Sequence, residues 1–133
     1  MSPTFSELKD LYSELSDFLA TQHMAAVQSK ESGTAEICNQ KKIHNDQAYF
    51  LYLFTRLEGR INEKVQKQKP ELKEAHFMEK VRWIFPQNSQ VETRTRKYLE
   101  KRNSIGHGGN FNQVISMRVV VPQIEHLFNS IKL

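Results

Sequence analysis

Phe50-Leu51-Tyr52-Leu53-Phe54-Thr55-Arg56-Leu57-Glu58-Gly59-Arg60-Ile61 is the stretch on which the fold turns. Phe50, Leu53, Phe54, Leu57 and Ile61 recur at intervals of three and four, the spacing that places side chains on one face of an α-helix. The segment therefore reads as the core helix of a bundle. Extended in both directions, that helix is expected from about Ala35 to about Lys67. Lys69-Pro70 ends it, because proline pushes the residue before it away from helical geometry.

Upstream, Thr4 and Glu7 have the spacing of a capping box, in which the two residues satisfy each other's free groups at a helix start. Phe5, Leu8, Leu11, Tyr12, Leu15, Phe18 and Leu19 then form one apolar stripe that fades near Val27. Ser32-Gly33-Thr34 reads as the break before the second helix. Downstream, a shorter helix is expected from Glu71 to Ile84, with Phe77, Val81, Trp83 and Ile84 as its apolar positions. Phe85-Pro86-Gln87-Asn88-Ser89 has turn composition.

A fourth helix is expected from about Val91 to Ile105. Gly106, Gly108 and Gly109 stop it, since glycine accepts the left-handed turn at a helix end. The last segment has two readings. Pro122 can occupy the first turn of a helix through Ile124, Leu127, Phe128 and Ile131, or Ser116 can cap that helix and Pro122 kink it. The expected architecture is all-α, an up-and-down bundle of four to five helices with short connections, forming one domain over residues 1–133.

Composition narrows the function classes. The chain has 133 residues, a formal net charge of +4 and a pI near 9.2, a balance that permits a polyanionic partner without demanding one. Cys38 is the only cysteine, which excludes an intrachain disulfide and a cysteine-rich zinc site, and suits a reducing cytoplasmic setting. Met1-Ser2-Pro3-Thr4 does not open a secretory signal, and no apolar run approaches membrane-spanning length. No histidine pair shows metal-ligand spacing with carboxylates, so neither a metal nor another cofactor is expected.

The chemistry concentrates in Arg102-Asn103-Ser104-Ile105-Gly106-His107. Arg102 falls beside the apolar positions Tyr98 and Leu99, where a guanidinium requires a carboxylate, a phosphate or a partner surface. Histidine changes charge near neutral pH and can both take and give a proton. On an uninterrupted helix Arg102 and His107 would stand about 140° apart. A break at Gly106 is therefore expected to return His107 towards Arg102.

This constellation resembles the HEPN superfamily (higher eukaryotes and prokaryotes nucleotide-binding). The signature of that family is an arginine, four to six residues, then a histidine, at the end of a late helix, commonly with a polar residue after the arginine. Arg102, Asn103 and His107 fill those places at the shortest spacing. The resemblance implies a metal-independent endoribonuclease, often a toxin or phage-defence effector, that dimerises so that two motifs line one cleft. His107 would transfer protons, Arg102 would neutralise the developing phosphorane, and Asn103 would orient the pair or hold phosphate. Many members pair with an antitoxin, frequently a small nucleotidyltransferase.

Arg94, Arg96, Lys97 and Lys101 are the candidates for steering RNA towards the site. Glu58 is a candidate for orienting Arg102 or His107. Two other readings compete with catalysis. In one the domain binds nucleotide, RNA or protein without cutting. In the other the chain is an interaction subunit whose Arg102 is an interface ion-pair partner.

Overall fold

The computed structural model describes residues 3–107 and 113–133, and over these the chain is an all-α bundle of five helices. They are α1 (Phe5–Gln28), α2 (Ser32–Gln68), α3 (Phe77–Ile84), α4 (Ser89–Gly106) and α5 (Met117–Ser130). No helix of the described residues is long and apolar enough to cross a membrane.

The start of α1 follows from its first residues. Thr4 Oγ1 accepts from the Glu7 backbone N–H at 3.1 Å and donates to the Glu7 carboxylate at 3.2 Å. Glu7 thus answers Thr4 through its hydroxyl. The end of α1 lies at Ser29–Glu31, and Ser32, Gly33 and Thr34 already belong to the first turn of α2, contrary to the expected break. The reason is backbone geometry: Lys30 adopts φ 58°, its N–H reaches Val27 O at 3.1 Å and that of Glu31 reaches Ala26 O at 2.9 Å. This pair of bonds is a Schellman closure, with lysine in the left-handed position that usually takes glycine.

The 37 residues of α2 form the axis of the molecule. Phe50, Leu53, Phe54, Leu57, Ile61 and Val65 are all at most 1% exposed. Each contributes on the order of 1.5–3 kcal/mol by leaving water. α1 packs antiparallel to α2, as the Tyr12 hydroxyl bonding Asp46 at 2.7 Å shows. α5 lies along the second half of α2 and points the same way, with Gln47 Nε2 donating to Gln113 O at 2.9 Å near its start and Arg60 Nε to Ile131 O at 3.1 Å past its end.

Two other expectations shift. The third helix is shorter than Glu71–Ile84, because Pro70–Leu72 forms a separate 3-10 turn and α3 begins only at Phe77, where apolar residues resume. For the last segment, Ser116 holds the capping position and Pro122 lies inside α5. Val119, Val120 and Val121 are therefore helical.

Candidate functional site

Arg102 sits on α4 little more than a turn before the helix ends, and α2 supplies its surroundings. Its Nη1 donates to both carboxylate oxygens of Glu58, at 3.0 and 3.2 Å. Its Nε donates to Asn103 Oδ1 at 3.0 Å, and its guanidinium carbon stands 5.7 Å from the centroid of the Phe54 ring. These contacts leave Nη2 without a hydrogen bond among the described residues. The pair is half-buried, with 34% of the arginine side chain and 21% of the glutamate side chain exposed. Burial raises the Glu58 carboxyl above its ordinary value, and the Arg102 charge and hydrogen bonds oppose that rise. Burial is the stronger effect, so the carboxyl stays above its ordinary value even beside the guanidinium, the cost of lifting an ion pair partly out of water.

The expected break at Gly106 does not occur. Gly106 is the last residue of α4, and the His107 N–H still reaches Asn103 O at 3.1 Å, so the helical ladder runs through the glycine. The separation of Arg102 and His107 therefore remains about 140° around the helix axis, with about 7.5 Å between them along it. His107 is exposed and its side chain makes no hydrogen bond or ion pair among the described residues. Gly108 and Gly109, the other expected stop residues, lie outside the described residues. Within one chain the fold brings together Arg102, Asn103, Glu58 and Phe54, and leaves His107 well round the same helix end from them.

The basic residues of α4 divide into two sets. Arg96 does not join the others: it pairs with Glu92 at 3.1 Å, and Arg82 reaches the same carboxylate oxygen at 2.8 Å. The Glu92–Arg96 spacing of four residues is the signal that anticipates this pairing. Arg94, Lys97 and Lys101 instead line one side of α4 together, and none of them makes an ion pair among the described residues. Among those residues no group of three or more His, Cys, Asp or Glu could hold a metal ion.

The sequence reading missed two contributors. Phe54 carries the face of the Arg102 guanidinium, although periodicity marked it only as core. Gln123 accepts from the Tyr98 hydroxyl across the α4–α5 seam, a contact between residues too distant in sequence for any local pattern to signal. Comparison with protein-family models, with curated proteins and with solved structures yields no match for this chain.

Proposed function

We propose that this chain is a metal-independent endoribonuclease of the HEPN type, working in the cytoplasm as a homodimer. The observation that carries the reading is the Arg102 guanidinium. It is anchored through Nη1 and Nε, keeps Nη2 without a hydrogen bond among the described residues, and lies in the final turns of α4 with Asn103, just before the exposed His107 at the helix end. A guanidinium fixed by a carboxylate with one edge free is oriented in advance for a phosphate oxygen.

Arg102 and His107 of one helix end start from different sides of the helix, and a two-fold pairing of helix ends would offer each arginine a histidine from the other chain as well. In the proposed reaction the ribose 2′-oxygen attacks the adjacent phosphorus while one His107 takes the 2′-hydroxyl proton. The bond to the 5′-oxygen breaks, and the second His107 returns a proton to that oxygen. The products are a 2′,3′-cyclic phosphate and a 5′-hydroxyl. A toxin or phage-defence role, with an antitoxin such as a small nucleotidyltransferase, follows from the same resemblance.

Purified protein is expected to cut single-stranded RNA in excess chelator, and His107→Ala to lose on the order of a hundredfold or more. A requirement for divalent metal, or full activity in His107→Ala, overturns the proposal. The Arg102–Glu58 pair favours a second reading, a non-catalytic domain in which the arginine only joins α4 to α2. Arg102→Lys separates the two. If the role is structural, thermal stability falls and no cleavage exists to lose. If it is catalytic, cleavage falls far more than stability.

A further inference from the structure

The side of α4 that carries Arg94, Lys97 and Lys101 is one wall of a groove of about 450 Å³. The groove is lined by these three cations, by Ser89, Gln90 and Thr93, and by Tyr98 and Gln123 towards α5. Among the described residues no carboxylate lines it. That absence is selective, because the other two cations of α4, Arg96 and Arg102, each meet a glutamate. The five cations of α4 thus divide into two held by carboxylates and three along the groove that are not, among the described residues.

The remaining lining groups are suited to the same kind of ligand. The Tyr98 hydroxyl donates to Gln123 Oε1, which leaves the Gln123 amide nitrogen as a donor. Ser89 and Thr93 add hydroxyls. From Ser89 to Lys101 the wall extends about 18 Å along the helix axis, with the three cations inside an arc of about 60°. A linear row of unneutralised cations backed by neutral donors matches a linear polyanion with repeated charges and hydrogen-bond acceptors.

We propose that this groove binds the sugar–phosphate backbone of a single nucleic-acid strand, with Arg94, Lys97 and Lys101 each meeting a phosphate. It rests on the ribonuclease reading only for the choice of ligand. The groove is centred about 110° around α4 from Arg102. Strand binding and strand cleavage therefore belong to separate faces of the helix, and each fails independently.

The test is the salt dependence of binding, measured with fluorescein-labelled single-stranded 2′-O-methyl RNA, which lacks the attacking hydroxyl and cannot be consumed. Releasing counterions from three phosphates of a single strand gives a log–log salt slope of about −2. The variant Arg94→Gln/Lys97→Gln/Lys101→Gln is expected to lose that slope. Wild type should then weaken roughly twentyfold more than the variant between 50 and 200 mM salt. The variant Lys67→Gln/Lys69→Gln/Lys73→Gln removes equal charge outside the groove and is expected to keep the wild-type slope.

Equal loss in both triple variants, an unchanged slope in the groove variant, or no binding by wild type overturns the proposal. So does groove-dependent binding to phosphatidylserine vesicles or to polyglutamate when the RNA strand does not bind. A DNA strand of the same sequence with the same slope identifies phosphate alone as the ligand. A DNA slope already as shallow as the groove variant's assigns the site to RNA. Both results support the groove as a strand site. Because the RNA probe is uncleavable, a protein that binds in this way but cuts nothing retains the groove and loses only the ribonuclease reading.

Discussion

The two halves of α2 live in different molecules, so to speak. From Tyr49 onwards the helix is packed against α1, α3, α4 and α5, and its buried side chains from Phe50 to Ile61 join one continuous core. From Ser32 to Ala48 it contributes nothing to that core, and neither does α1 beyond Tyr12. Residues 13–28 bury only Ala26, and residues 32–46 only Cys38. Leu15, Phe18, Met24, Val27 and Ile37 remain 42–58% exposed. One end of the hairpin is thus a scaffold for the candidate site, and the other is a two-helix arm. Helical periodicity is similar in both, so an apolar stripe alone does not create a core. It must also be covered.

The largest test of this contrast is one substitution made in both regions. Phe50→Ala is expected to cost about 3–5 kcal/mol in urea denaturation, and Phe18→Ala about 0.5 kcal/mol or less. Similar losses at the two positions would break the comparison. The junction comes next. Tyr12→Phe removes the 2.7 Å bond to Asp46 and should cost roughly 1 kcal/mol. Hydrogen exchange sharpens the picture, with amides of residues 13–28 and 32–46 expected to open well below the global unfolding energy and those of 50–61 only with it.

Smaller effects should have the opposite sign. Gly59 is helical, and a methyl group added there meets nothing within 4 Å, so Gly59→Ala should stabilise by up to about 1 kcal/mol. Lys30→Gly relieves a left-handed lysine and should gain a similar or smaller amount, read as a higher midpoint in thermal melting.

The smallest expected effect is a pH dependence at the junction. Burial holds the Asp46 carboxyl above its ordinary value of 3.8 despite the Tyr12 hydrogen bond and the Lys42 charge, and Tyr12 stays protonated up to about 12. A raised carboxyl means that the folded state keeps its proton more firmly than the unfolded chain does. That contribution is complete below pH 3.8 and is lost as pH rises through the folded value. Asp46→Asn should flatten this slope. A stability that instead rises across that window, and is likewise flattened in Asp46→Asn, reverses the sign.

Local spacing carried much of this structure. The α2 stripe, the Thr4–Glu7 start and the need of Arg102 for a partner were readable because each depends on residues a few positions apart. Glu58 was readable only as a candidate, because its sequence neighbours Arg56 and Arg60 offered it a local explanation as a surface residue. The exposure of Leu11, Leu15 and Phe18 was not readable, because periodicity defines a face without saying what lies opposite. Nor was the continuation of α4 through Gly106. Glycine permits a left-handed turn but does not compel one, and the next N–H had a carbonyl at Asn103 within reach. The emptiness of the α4 groove of carboxylates depends on five cations being sorted by neighbours on α2, α3 and α4, which no single window contains.

Cys38 gives the arm a clock of its own. Its thiol is the sole one in the chain and lies nearly buried in a groove between α1 and α2. Only 6% of the residue is exposed, so an alkylating reagent gains full access when the arm parts. The rate of labelling, followed with reagent in excess, therefore rises with the separation of α1 from α2. Any molecule that clasps the arm should slow that rate without touching the sulfur.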